Sequence, residues 1–278
     1  MTTRKPAVAG KFYPSSAKAL KAEINQVFKK EKNSIRTELA GNKIFGGVSP
    51  HAGYMFSAYQ AVHLFQIIKE MKTQPETFVI LHPDHYGAGP GIALDEHDAW
   101  ETPLGTVPLD LEFMKNLPYE SSSLAHQSEH SGEVMLPFLQ FFLSNPFQIV
   151  PVALTRQDYK NASELAKSME KAAKDTGRNI FIIASSDFSH FVDPASGEKL
   201  DDMVLKQIRS WNTEEVYNTI LKHNITVCGY GPIMALMEYT HNLATDPQNE
   251  ILTRGHSGNV MPSNEVVDYV SMIFYDKT

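Results

Sequence analysis

The sequence contains one cysteine, Cys228, among 278 residues. That excludes an intrachain disulfide framework and leaves one thiol free for other chemistry. No run approaches the roughly 20 apolar residues that a membrane-spanning helix needs. The most apolar stretch, Leu136 to Phe147, is interrupted by Pro137, Gln140, Ser144 and Asn145. There is no basic excess: 25 Lys and Arg against 32 Asp and Glu leave a net charge of −7. This disfavours nucleic acid or an acidic membrane as the main partner, and no Lys/Arg stripe interleaves with aromatics. The opening MTTRKPAVAGKFYP has charge but no apolar h-region, so a reducing, cytoplasmic setting is expected. GxGxxG and Walker loops are missing, and with them any expectation of a nucleotide cofactor. The HExxH zinc motif and the GxSxG elbow of serine hydrolases are missing too. Without a fixed repeat, a low-complexity tract or a Pro/Gly/Ser-rich linker, residues 1–278 read as one domain.

What is present is an alternation of strand-like and helix-like segments. Ser15 and Ser16 can cap a helix over Ala17–Lys30, where Leu20, Ile24, Val27 and Phe28 recur at helical spacing. KIFGGVS (Lys43–Ser49) reads as a strand, and Ala58–Met71 as a helix. The continuous runs TFVIL (Thr77–Leu81) and NIFIIA (Asn179–Ala184) suit strands buried on both faces, and Gln148–Leu154 is a further strand. Short strands are expected at Ile92–Leu94 and within Trp100–Pro108. Further helices are expected over Ser131–Phe142, Ala162–Thr176, Lys199–Arg209, Thr213–Lys222 and Ile233–His241, and last strands at Ile251–His256 and Val266–Tyr275. The pattern implies a three-layer α/β/α fold on a central, mostly parallel or mixed sheet.

Ligands of open α/β sheets gather beyond the carboxyl ends of the strands. The loops after Ser49, Leu81 and Ala184 are the ones rich in His, Asp, Ser and Gly. His51 stands between a rigid Pro50 and a permissive Gly53. His82 to Tyr86 offers two imidazoles, with Asp84 placed either to orient one of them or to cap the loop. Cys228 precedes Gly229, Gly231 and Pro232 at the entry to a helix, where the helix dipole favours a thiolate. A thiolate with two imidazoles is a metal-ligand set that leaves a coordination position open. In ASSDFSHF, Asp187 and His190 could pair as orienter and base, and Ser186 or Ser189 could donate to an anion. Glu129, His130 and Glu133 lie where Ser131 could cap a helix.

Taken in order, AGKFYP from Ala9, SPHAGY from Ser49, the loop His82–Tyr86, EHSGEVMLPFL from Glu129, the strand Gln148–Val152, SSDFSH from Ser185 and CGYGPI from Cys228 resemble the Memo family along nearly the whole chain. That family in turn resembles the class III extradiol dioxygenases, whose non-haem iron sits at the rim of an α/β sheet. The resemblance implies His51, His85 and Cys228 as metal ligands. It implies His190 as a base near the metal, and His130 as a pocket residue. Many members carry Gly-Pro-Ser before the second histidine; this chain reads His82–Pro83–Asp84, which makes His82 a competitor of His85.

A cysteine in place of the dioxygenases' carboxylate softens the site toward copper, zinc or a different iron chemistry. The expected protein is a mononuclear iron or copper redox enzyme, with zinc as the alternative metal. His190, Asp187 and His130 would work on the substrate, and His82, Asp84, Glu129 and Ser186 would surround them. The alternative is an adaptor that captures a peptide, phosphorylated or not, in the same cleft. The resemblance also implies AMMECR1-type and radical-SAM proteins as partners.

Overall fold

A computed structural model describes residues 2–277. In chain order the strands are β1 (Thr3–Arg4), β2 (Lys43–Ser49), β3 (Thr77–Pro83), β4 (Ile92–Leu94), β5 (Ala99–Thr102), β6 (Gly105–Pro108), β7 (Glu120–Ser121), β8 (Gln148–Leu154), β9 (Ile180–Ser185), β10 (His190–Val192), β11 (Pro247–His256) and β12 (Val266–Asp276). The helices are α1 (Ala17–Glu31), α2 (Tyr54–Glu70), α3 (Leu111–Lys115), α4 (Ser123–Gln127), α5 (Leu136–Phe142), α6 (Tyr159–Thr176), α7 (Pro194–Arg209), α8 (Thr213–His223) and α9 (Tyr230–Leu243).

The large sheet is mixed. Four parallel strands, β2, β9, β3 and β8, form its centre. β12 and β4 join the two sides antiparallel, and β11, β10 and β7 complete it. Every residue of β3 and of β9 is buried. That is why their sequences run on in apolar residues instead of alternating: helices cover both faces. Two adjacent glycines of β2 show how tightly. A Cβ on Gly46 would lie 2.6 Å from Leu236 of α9, and one on Gly47 would lie 2.4 Å from Leu64 of α2. Successive strand residues point to opposite faces, so α2 and α9 sit on opposite sides of the sheet. α1 and α5 pack with α2, while α6 and α8 pack with α9. The result is the α/β/α sandwich expected from the sequence.

The structure differs from the sequence reading chiefly at element starts. α2 begins at Tyr54, α7 at Pro194 and α9 at Tyr230, each several residues early. No helix starts at Ser131: a 3-10 turn covers Glu133–Met135 and α5 begins at Leu136. The segment read as a loop after β9 contains β10, which pairs with β12. Among the described residues no helix is long and apolar enough to cross a membrane.

The N-terminal segment is fastened by charge. β1 pairs with β5 in a small second sheet. Arg4 is buried, pairs with Glu133 at 2.7 Å and lies 4.3 Å over the Trp100 ring. It also donates to the carbonyls of His126 and Glu129, both at 2.7 Å. Glu133 in turn accepts from the Ala7 and Val8 amides and the Tyr13 hydroxyl. Breaking such a pair by removing one partner typically costs about 3–5 kcal/mol, because the other charge is stranded.

Asp201 of α7 and Asp268 of β12 are both buried and face one another. Burial pushes Asp201 up to about 7, with the Asp268 charge adding to it against the Ser189 hydrogen bonds. Burial likewise pushes Asp268 up to about 6 against the attraction of Arg254. Both folded values lie above the unfolded one of about 4, so folding takes up protons between them. The stability this pair contributes is complete below about pH 4 and is lost as pH rises through 6 to 7. Asp201→Asn keeps the acceptor for Ser189 and removes the titration. It is expected to raise the thermal midpoint at pH 8, by about 2–4 °C for each kcal/mol recovered, and to raise it less at pH 5. An equal shift at both pH values contradicts the account.

Candidate metal centre

Parallel β2, β3 and β9 end at the same edge of the sheet, and the loop between α8 and α9 meets their loops there. β2 is followed by His51, whose amide donates to Asp187 Oδ1 at 2.8 Å. Its Nδ1 lies 2.7 Å from Ser185 Oγ. That hydroxyl donates its proton to the Ser131 carbonyl at 2.7 Å, so the ring nitrogen must be the donor. His51 is thereby fixed as the Nδ1–H tautomer with a lone pair on Nε2. The loop after β3 presents His85, whose amide donates to Glu129 Oε2 at 2.7 Å and whose Nδ1 donates to Oε1 at 3.0 Å. Its Nε2 lone pair is likewise free, a carboxylate–histidine arrangement familiar around bound metals.

The third candidate ligand lies on the loop between α8 and α9, which is bonded to the loop after β9. Cys228 donates its amide to the Asp187 carbonyl, and its sulfur accepts the Asp187 amide at 3.1 Å. Sγ is 3.1 Å from His51 Nε2. One ligand atom each from His51, His85 and Cys228 lies within 4.8 Å of the others. Burial, with the Asp187 charge, pushes the thiol well above its ordinary range. The expected dipole-favoured thiolate is therefore corrected. Without an ion, burial outweighs the helix start, and a neutral S–H is the donor to His51.

His85, Glu129 and His130 form a second group with ligand atoms this close. The His85 and His130 rings stack at 4.9 Å, and both stand edge-on to His51 at 5.3 Å. Phe12 closes the far side of His130 at 4.6 Å. Burial, then the neighbouring His130 and His85, holds His51 well below the ordinary imidazole value. Burial pushes His130 down to about 4 despite Glu129. Burial opposes charge on His85 as well, but its bond to Glu129 and that carboxylate's charge outweigh it and raise the ring. Burial would lift Glu129; hydrogen bonding and charge from His85, with His82 and His130, instead hold it far below the usual carboxylate range.

The whole chain has recognisable relatives. The family described as "Memo-like protein" matches residues 4–273. A MEMO1 family protein of Methanococcoides burtonii is 36% identical over 273 residues, covering 97% of this chain and 99% of that protein. One from Archaeoglobus fulgidus is 36% identical over 274 residues, covering 98% and 99%. The chain belongs to the Memo family. Among solved structures, the uncharacterized protein JW3007 from Escherichia coli K12 has a similar fold. It has a TM-score of 0.51 at 12% identity, over 77% of this chain and 91% of that one.

Around this Memo-family centre the remaining residues take up specific posts. Asp187 does not orient His190; its carboxyl accepts from the His51 amide, and burial pushes it up to about 6 against that bond. His190 is held by Thr226, which receives the ring's Nδ1–H on its carbonyl at 2.8 Å, so His190 also keeps Nε2 free. Ser186 accepts the Gly229 amide and donates to the Asp187 carbonyl, clamping the cysteine loop to the SSDFSH loop. Asp84 caps its own loop, accepting from the Tyr86 and Gly89 amides and the Thr155 hydroxyl, while Glu129 orients His85. His82 does not compete with His85. It lies in β3, fully buried, with its ring against His126 and Ser131. Ser131 caps no helix and bonds Glu129 Oε1 at 2.8 Å.

Sequence reasoning missed Ser185, Thr226 and Gln157. Gln157 binds the Cys228 carbonyl and the Gly231 amide, both at 2.9 Å. None of them has a local signal; each acts on a partner distant in the chain.

Gly229 is required by contact. A Cβ there would lie 2.1 Å from the Ser185 carbonyl and 2.7 Å from Ser186 Cβ. Gly229→Ala should therefore push the cysteine loop off the strand end and cost about 1–3 kcal/mol. Gly41→Ala, where nothing lies within 4 Å, is the control. Urea midpoints measure the difference, and matching midpoints for the two variants would refute the packing argument.

Proposed function

We propose that this Memo-family protein is a mononuclear, non-haem metal redox enzyme acting on a small molecule. His51, His85 and Cys228 are its ligands and iron or copper is its metal. The observation that carries this reading is the convergence of two Nε2 lone pairs and one thiol within 4.8 Å, each imidazole tied by its Nδ1–H. Such a donor set suits a soft or borderline ion and leaves coordination positions for an exogenous ligand. An ion bound there supplies one-electron chemistry and Lewis acidity; zinc in the same set would supply only the second.

The protein's own groups do the rest. Loading requires loss of the Cys228 proton, and the Asp187 carboxylate, whose charge acts on the thiol, is the group placed to take it, since His51 Nε2 is needed for the ion. His190, half-buried with Nε2 free, is the group suited to hold or release a proton at the mouth of the cleft. His130, kept neutral and with its ring flanked by His85 and Phe12, would offer Nε2 to whatever enters. Tyr86 and Phe191, 65% and 72% exposed beside His85 and His190, offer apolar surface at the rim.

That exposure also favours a second reading, a non-enzymatic module taking a peptide in this cleft. Peptide binding that is indifferent to metal and survives His51→Ala would select it. For the enzyme reading, titration with Co(II) or Cu(II) should saturate at one ion per chain and produce a thiolate charge-transfer band. Cys228→Ser should abolish the band and weaken binding at least tenfold. An unchanged stoichiometry and spectrum in Cys228→Ser would remove the cysteine from the ligand set.

A further inference from the structure

His82 and His126 are fully buried, belong to no ligand group and are used by no step above. They are nevertheless continuous with the site. His126 Nε2 is 3.3 Å from the Ala93 carbonyl, and its Nδ1 is 3.2 Å from His82 Nε2. His82 Nδ1 is 3.0 Å from the Pro83 carbonyl and 3.2 Å from Ser131 Oγ. Ser131 Oγ is 2.8 Å from Glu129 Oε1 and 3.1 Å from the same Pro83 carbonyl. Glu129 Oε1 holds His85 Nδ1.

Donor counting orients this chain. Carbonyls and an ionised carboxylate only accept. At 2.8 Å from Glu129, Ser131 must spend its one proton there. The Pro83 carbonyl, 3.0 Å from His82 Nδ1, then requires that nitrogen to carry a proton. Burial keeps both rings neutral, so His82 Nε2 is a lone pair that accepts from His126 Nδ1–H. Two contacts are left without a proton, Ser131 Oγ to the Pro83 carbonyl at 3.1 Å and His126 Nε2 to the Ala93 carbonyl at 3.3 Å. The remaining protons run from His126 to His82, from His82 to the Pro83 carbonyl, and from Ser131 and His85 to Glu129.

We propose that His82 is a positioning residue of the metal centre, acting through Ser131 on Glu129 and through Glu129 on His85. By occupying the Pro83 carbonyl it removes the acceptor that competes for the serine proton. The serine stays turned to Glu129, and Glu129 keeps His85 in the form with Nε2 free. The fold makes room for this ring: a Cβ on Gly132 would lie 2.8 Å from His82 Cδ2. The inference rests on His85 being a ligand, but its first test needs no metal.

That test records the ring-nitrogen NMR correlations of His85 in metal-free protein. The parent and His82→Asn, whose amide can donate where Nδ1–H did, should show the Nδ1–H tautomer alone. His82→Leu should show a mixture with Nε2–H. The second readout is Co(II) affinity, expected to be 10–100-fold weaker in His82→Leu and within about threefold of the parent in His82→Asn, the scale an outer-sphere partner commands. Should His82→Leu not fold, Ser131→Ala breaks the same link and is expected to give the same tautomer mixture. A single tautomer in His82→Leu, or in Ser131→Ala where that variant stands in, overturns the proposal. So does equal weakening in the Leu and Asn variants, which would mean that only the ring's bulk matters. A parent that binds no Co(II) sinks the metal reading, while the tautomer measurement still decides the role of His82.

Discussion

A buried carboxylate survives ionised only where donors surround it, and Glu129 is such a carboxylate. It accepts from the His85 amide and ring, from the His130 and Ser131 amides and from the Ser131 hydroxyl. With those bonds made, it can neither rotate nor titrate in the ordinary range. His85 is fixed in place and tautomer as a consequence. Arg4 grips the segment from behind, bonding the Glu129 carbonyl and pairing with Glu133. The first strand of the chain is thus part of the support of a centre whose third member, Cys228, comes from residues near its end.

The second constraint is topological. Parallel β2, β9 and β3 end along one edge, and their loops cannot avoid one another. What the loops carry decides whether the crowding is chemistry or packing. Here Ser185 orients His51, Glu129 orients His85, and the Asp187 amide and carbonyl bracket Cys228. Two lone pairs and an uncharged thiol are left facing inward. Buried neutral donors cost less to desolvate than a bare thiolate. The price of that arrangement is a proton that must leave when a cation enters.

Much of this was legible in the residues. Buried strands announce themselves by continuous β-branched runs, and Lys43–Ser49 and Gln148–Leu154 have the bounds read from the sequence. Histidines near Pro and Gly after such runs mark strand-end loops, which points to His51 and to the pair His82 and His85; only the Memo resemblance singles out His85 of that pair. Roles set by tertiary partners were not legible. Asp84 and Glu129 are both carboxylates near His85, and only the fold shows the near one capping a loop and the distant one holding the ring. His82 looked like a rival ligand because it is close in sequence. It lies three residues earlier in a strand, and its ring packs toward His126 instead. Ser131 reads as a helix cap by type, but its hydroxyl is claimed by Glu129 before any helix starts.

The central claim is that sulfur from Cys228 and nitrogen from two imidazoles bind one ion together. X-ray absorption at the metal edge of protein loaded with a single equivalent of zinc or copper measures this directly. The account predicts one sulfur near about 2.3 Å and two nitrogens near about 2.0–2.1 Å. A first coordination sphere made of nitrogen and oxygen alone would contradict it.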